Sequence, residues 1–150
     1  VRSVGADKHA YSIIISSNTA LQSVEGLRNV SGSLPGSLTI ADNANLKTLD
    51  GLQGVRSVGA DEYGYSINIY ANRALESVEG LRGVSGGLPG SLAITHNANL
   101  LTLDGLQGVR SVGADKHAYS IIISSNTALQ SVEGLRNVSG SLPGSLTIAD

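Results

Sequence analysis

The chain is built from copies of one 54-residue unit. Residues 1–42 recur letter for letter as residues 109–150, and a variant copy occupies residues 55–108. A period of this length is typical of solenoids and arrays, in which each unit stacks only on its neighbours. We therefore divide the chain into repeat copy one (1–54), variant copy two (55–108) and partial copy three (109–150), and expect one continuous solenoid.

Each unit contains two related halves, which begin at Ile13 and at Leu38 in copy one. Both halves follow the pattern Ile/Leu-x-Ile-x-x-Asn-x-x-Leu-x-x-Leu/Val-Asp/Glu-Gly-Leu-x-x-Val. Alternating apolar and polar residues before the Asn predict a strand, and Gly in the second part argues against a helix. The pattern predicts an all-β fold, a parallel β-solenoid of about five to six coils that stack roughly 4.8 Å apart.

The pattern asparagines set the length of each coil. Their separations alternate between 25 and 29 residues, with the four extra residues in a linker from Arg56 to Ser66. We expect that linker to bulge from the surface. The asparagines are Asn18, Asn43, Asn72, Asn97 and Asn126. One identical amide per coil predicts a structural Asn ladder, as in stacked cross-β side chains, rather than a column of ligand-binding groups.

Differences between copies indicate which residues face outward. Copies one and two differ at 14 of 54 positions, and none of these carries a pattern Leu, Ile, Val or Gly. Ile14 becomes Asn68, an exchange that would leave a costly unpaired amide if the position were buried. Positions 14, 16, 39 and 41 are therefore predicted to face solvent, and positions 13, 15, 38 and 40 to face the core.

Composition narrows the function classes. The chain has no Cys, Met, Trp or Phe, so Leu, Ile and Val must fill a narrow, regular interior. The absence of Cys excludes disulfides and thiolate metal sites. A net charge of −2 gives no basic surface for nucleic acid, and the longest strictly aliphatic run, Ile13–Ile15, is too short to span a membrane.

An acidic residue precedes a pattern Gly in every coil, and stacked carboxylates raise the alternative of a calcium site. The glycine-aspartate nonapeptide of calcium-binding β-rolls is absent, and an Arg follows each Glu member by three residues, so we expect charge pairing instead. No His has a partner at ligand spacing, and no catalytic arrangement recurs, so neither a cofactor nor an enzyme is predicted. The acidic column is Glu25, Asp50, Glu79, Asp104 and Glu133; the arginines are Arg28, Arg82 and Arg136.

Two further sets of residues are candidate surface sites. Asn29 and Asn137 each begin an Asn-Val-Ser triplet, the acceptor for N-linked glycans, while copy two has Gly83 at that position. Copy two also carries Tyr63, Tyr65 and Tyr70, a residue type common in recognition surfaces. We therefore treat the first set as candidate glycosylation sites and the second as a candidate binding surface.

The segments Gly36–Leu46 and Leu49–Leu52 resemble the receptor L-domain family. They are also similar to the leucine-rich β-helical coils of fungal cell-wall and bacterial surface proteins. The resemblance covers the whole chain and implies a β-helical fold at the cell surface or outside the cell. The copies here are much more alike than in that family, and neither end shows a capping segment, which predicts an uncapped stretch of a longer array.

Two functions follow as hypotheses. The first is a non-catalytic structural segment of a long extracellular or cell-surface filament or stalk that self-associates end to end or laterally. The alternative is an L-domain-like adhesion module that binds glycans or proteins and gains avidity from repetition. Ice binding is disfavoured because the outward column from Ile14 to Thr147 is too irregular.

Overall fold

The computed structural model describes residues 3–150 and is the parallel β-solenoid that the repeat predicts. One strand from each coil enters a six-stranded parallel sheet in the order β1-β3-β5-β7-β9-β10, called the main sheet below. The strands are β1 (Tyr11–Ser16), β2 (Gly32–Leu34), β3 (Ser37–Ala41), β4 (Val55–Val58), β5 (Tyr65–Tyr70), β6 (Gly86–Leu88), β7 (Ser91–Thr95), β8 (Val109–Val112), β9 (Tyr119–Ser124) and β10 (Ser145–Ala149).

The main sheet runs through all three copies in a single repeated register. Leu38 pairs with Ile13 on one side and with Ile67 on the other. Their outward neighbours pair in the same way, Thr39 with Ile14 on one side and with Asn68 on the other. The later strand pairs repeat these partners. Each coil therefore lays its inward side chains directly on those of the next coil.

The core is aliphatic, and the predicted facing of the strands is confirmed. Leu38 and Ile40 are fully buried, whereas Ile14 is 52% exposed. Leu46, Leu49 and Leu52, spaced three apart after the strand, are also fully buried although they lie outside the strands. The strands and the irregular segments that follow them thus contribute to one continuous interior.

Two small sheets differ from the sequence prediction. Strand β2 pairs in parallel with β4, and β6 pairs with β8. The linker expected to bulge from Arg56 to Ser66 therefore begins as a strand, with Val55 and Val58 buried. A four-residue segment between glycines is too short for its alternation to be recognised in the sequence.

A second difference concerns the turns. Each Val-Glu-Gly-Leu segment forms a single-turn 3₁₀ helix, where the sequence predicted only a turn; the three are Glu25–Leu27, Glu79–Leu81 and Glu133–Leu135. The corresponding Leu49–Leu52 segment does not, because Gly51 adopts a φ of +113°. The Gln53 side chain accepts the Gly51 N–H at 2.7 Å and donates to Asp50 at 3.0 Å, which fixes this alternative turn.

Strand β9 offers a direct test of facing. Replacing Ile123, which is 1% exposed, with Asn should lower the free energy of unfolding by about 3–5 kcal/mol, because an amide enters an apolar core. Replacing its neighbour Ile122 with Asn recreates the Asn68 of copy two and should change stability by no more than about 0.5 kcal/mol. Urea denaturation measures both, and equal losses would contradict the assignment.

Candidate functional site

The five pattern asparagines occupy one corner of the solenoid, immediately after the main-sheet strands. The residue before each Asn adopts the left-handed conformation although it is not Gly, with φ between 55° and 58° at Ser17, Asp42, Ala71 and Ser125 and 61° at His96. This conformation turns the chain sharply at the strand end. The four asparagines from Asn43 to Asn126 are at most 1% exposed.

The asparagine side chains form a continuous ladder of hydrogen bonds across the coils. Asn72 Oδ1 accepts two hydrogen bonds from Asn43, one from the backbone N–H at 3.1 Å and one from the side-chain Nδ2 at 3.0 Å. Asn72 Nδ2 donates to Ile40 O at 2.9 Å and to Asn97 Oδ1 at 3.3 Å. The amide is satisfied within the protein, so the Asn ladder ties coils together and has no group aimed at a ligand.

The same bonds recur at the other coil boundaries. The amide of Asn18 donates to Asn43 Oδ1 at 3.1 Å, and that of Asn97 donates to Asn126 Oδ1 at 3.2 Å. The sequence separations along the ladder are 25, 29, 25 and 29 residues. Coils of two lengths therefore place their corners at the same point, and the extra residues of the longer coil are accommodated elsewhere.

Two carboxylates of the acidic column, Asp50 and Asp104, are engaged in local hydrogen bonds. Within residues 3–150, no group of three or more His, Asp or Glu side chains is arranged to hold a metal ion. The Asp50 and Asp104 carboxylates each accept a hydrogen bond from a Gln three residues later at 3.0 Å. The predicted Glu–Arg pairing is not a direct contact, since the one ion pair within 4.0 Å in this part of the chain joins His9 and Glu62.

The two glycosylation triplets lie in different surroundings. Asn29 is exposed, whereas Asn137 is half-buried and its Nδ2 donates to Gln107 O at 2.8 Å. In copy two, a Cβ on Gly83 would lie 2.3 Å from Gln53 O. The side-chain nitrogen that would carry a glycan is therefore freely presented at Asn29 and engaged at Asn137.

The candidate tyrosines do not converge on one patch. Tyr63 and Tyr70 are 48% and 41% exposed, and Tyr65 is half-buried. Tyr65 and Tyr70 are the two ends of β5, about 16 Å apart at the usual rise of a strand. Burial, and then the charge of Asp115, raise the pKa of the Tyr65 phenol, while the Tyr70 ring packs edge-on against His96 at 5.3 Å between centroids.

The four extra residues of each longer coil form an ordered turn that sequence reasoning missed. We call residues 5–10, 59–64 and 113–118 the long loops. In copy two, Asp61 Oδ1 accepts the backbone N–H groups of Tyr63 at 2.9 Å and Tyr65 at 3.0 Å. Asp7 and Asp115 make the same bonds in their copies, and an Asp that accepts from residues two and four ahead is a recognisable turn former.

Consecutive long loops touch, although their coils are separated by a shorter one. Glu62 N donates to His9 O at 3.1 Å, and Lys116 N donates to Tyr63 O at 3.0 Å. His9 Nδ1 lies 2.8 Å from Glu62 Oε1, a hydrogen bond that lowers the pKa of the Glu62 carboxyl. The Lys116 ammonium lies 5.0 Å from the centre of the Tyr63 ring. The long loops therefore form a second column of contacts outside the core.

The fold and the Asn ladder define an all-β repeat protein of the β-solenoid class. No protein-family model, no curated protein and no solved structure matches the chain. In the described part of the chain, no helix combines the length and the apolar character that crossing a membrane requires.

Proposed function

We propose that this chain is a non-catalytic structural segment of a long extracellular or cell-surface filament or stalk. The observation that carries the proposal is one coil-to-coil interface used at every boundary. The strand register, the Asn ladder and the aliphatic layers repeat from β1 to β10. A head-to-tail interface between two complementary faces, repeated at every boundary without closing into a ring, favours open-ended stacking.

The last strand shows which surface the interface between coils covers. Leu146 and Ile148 of β10 are 54% and 53% exposed, whereas the equivalent Leu38 and Ile40 of β3 are fully buried by the next coil. Strand β10 is paired with β9 on one side only. A further coil on its other side would bury apolar surface and pair a strand edge that is otherwise prone to association.

The location outside the cell rests on two features. The chain resembles leucine-rich β-helical surface repeats, and Asn29 presents an exposed glycan acceptor triplet. We propose that covalent glycans are groups that this segment would carry. The partners of the segment would be further coils of the same kind, joined end to end or side by side.

Stacking has a measurable signature. Sedimentation velocity of residues 1–150 at increasing concentration should show growing oligomers, and X-ray diffraction from aligned material should show a reflection near 4.8 Å along the axis. Replacing Ile148 with Glu should suppress growth, because a charge enters the surface to be buried. Monodisperse monomers at every concentration would overturn the proposal.

The matched control for this experiment lies on the same strand. Thr147 pairs with Ile122 in the outward column, so replacing Thr147 with Glu adds the same charge on the solvent face. The control variant should associate as the original chain does. Equal suppression by both substitutions would mean that net charge, rather than the apolar face of β10, governs association.

A second proposal is an L-domain-like adhesion module that binds glycans or proteins. It is favoured by the exposure of Tyr63 and Tyr70, since large exposed aromatic rings are common in binding surfaces. Strand β5 lies between these two rings, so a ligand that contacts both must be extended rather than compact. Replacing Tyr63, Tyr65 and Tyr70 with Ala should abolish retention on a glycan array, and unchanged retention would exclude this surface.

A further inference from the structure

The tips of the long loops carry differences between copies. The tips are residues 8–9 in copy one, 62–63 in copy two and 116–117 in copy three. Their sequences are Lys-His, Glu-Tyr and Lys-His. At both boundaries, the second tip residue of one copy meets the first tip residue of the next. The contact pattern is therefore the same even though the residues are not.

Each observed boundary joins complementary groups. From copy one to copy two, the His9 imidazole meets the Glu62 carboxylate at 2.8 Å. From copy two to copy three, the Tyr63 ring meets the Lys116 ammonium at 5.0 Å, a cation–π contact. The two boundaries use different chemistry, and both depend on an alternation of the two tip sequences.

Adjacent like copies would lose both contacts. Two neighbouring Lys-His tips would place an imidazole against an ammonium, and the two groups repel when the imidazole is protonated. Two neighbouring Glu-Tyr tips would place a carboxylate against the electron-rich face of a phenol ring, without a cation. Like-charge or unpaired neighbours destabilise an interface and thereby favour the alternative pairing.

A second column on another side of the solenoid carries opposite charges at one of the two boundaries. Glu76 N donates to Lys47 O at 3.0 Å, so these exposed residues are direct neighbours at the boundary from copy one to copy two. At the boundary from copy two to copy three, the corresponding neighbours are Leu101 and Gln130, which carry no charge. The opposite charges of Lys47 and Glu76 thus coincide with the boundary that the His9–Glu62 pair marks.

We propose that the juxtaposed loop tips, His9 against Glu62 and Tyr63 against Lys116, form a recognition surface by which a coil of one copy type selects a coil of the other type. Within the chain, the partner of each copy is the next copy. Between stacked chains, the partner is a second copy of this chain, whose like tips leave the contact without its complement. The proposal deepens the filament function and rests on it for stacking between chains. Recognition within one chain does not depend on filament formation.

Within the chain, a charge-reversal cycle tests recognition. His9→Glu places two carboxylates together, and Glu62→Lys places two cations together, so each single variant should lower the Tm by about 2 °C at about pH 6. The double variant H9E/E62K restores an opposite-charge pair and should recover most of the loss. In 1 M NaCl the coupling should largely disappear, because the screening length falls to about 3 Å.

Between chains, a second cycle tests selection. Two molecules of residues 1–150 stacked end to end would set His117 against Lys8, a like-type tip contact. Neither side chain makes a hydrogen bond or an ion pair within residues 3–150, so both can be changed without disturbing these contacts. Lys8→Glu creates a His–Glu contact and His117→Tyr creates a Tyr–Lys contact, so each should strengthen self-association about fivefold.

The double variant K8E/H117Y is the decisive control, because it sets Tyr against Glu. It should return to the association constant of the original chain even though both single variants are stronger. Additive effects in both cycles would overturn the proposal. Coupling within the chain but no association of any variant would retain the recognition surface and remove stacking between chains, and thus separates this inference from the proposed filament.

Discussion

Replacing Asn72 with Ala should lower the free energy of unfolding by about 3 kcal/mol, because the change leaves buried donors without an acceptor. Asn72 Oδ1 accepts both the backbone N–H and the side-chain Nδ2 of Asn43, and Asn72 Nδ2 is the donor to Ile40 O. Asn72 is fully buried, so water cannot replace these bonds without opening the corner. Urea denaturation followed by circular dichroism measures the loss.

Asn18→Ala is the matched control at the edge of the same ladder. Asn18 is exposed, and its side chain donates to Ser16 O and Asn43 Oδ1. Water can replace these bonds, so the cost should stay within about 1 kcal/mol. If the two variants were equally destabilised, burial within the continuous ladder would not explain what the Asn72 side chain contributes to the free energy of unfolding.

Replacing Gly80 with Ala should be almost as damaging, for a reason of backbone proximity. A Cβ on Gly80 would lie 2.0 Å from the carbonyl oxygen of Leu49 in the preceding coil. The collision involves backbone on both sides, so the coils must separate, and we expect a loss of about 3 kcal/mol. Thermal unfolding of the purified variant, compared with the original chain, measures the effect.

Gly26 is the same residue of the same 3₁₀ turn in copy one, which makes it an unusually close control. A Cβ on Gly26 would have no atom within 4 Å. Gly26→Ala should therefore change stability by no more than about 0.5 kcal/mol. A comparable loss in both variants would show that the turn itself requires Gly, rather than the contact between coils.

The sequence predicted those features that depend on short-range periodicity. The exchange of Ile14 for Asn68 identified the outward face, because strand side chains alternate with a period of two. The spacing of the asparagines predicted one amide per coil at a common corner, and the structure places them there. A substitution between internal copies thus gave information that a single copy would not contain.

The features that sequence reasoning missed depend on contacts between coils. Strand β4 is recognisable only from its pairing with β2, since four residues carry too little periodicity. The meeting of His9 with Glu62 joins loops a full unit apart, and no local pattern marks it. The candidate tyrosines share only a residue type, and the strand predicted before Asn72 already separates Tyr65 from Tyr70.

The Asn ladder also gives the solenoid a direction. Asn18, Asn43, Asn72 and Asn97 each donate from their amides to the Oδ1 of the following coil's Asn. The side-chain dipoles therefore all point the same way, and aligned amides in a chain polarise one another. A stack of such coils has a polar axis. One end of the stack presents amide oxygens and the other presents N–H donors, so subunits that bind at the two ends meet opposite electrostatic polarity.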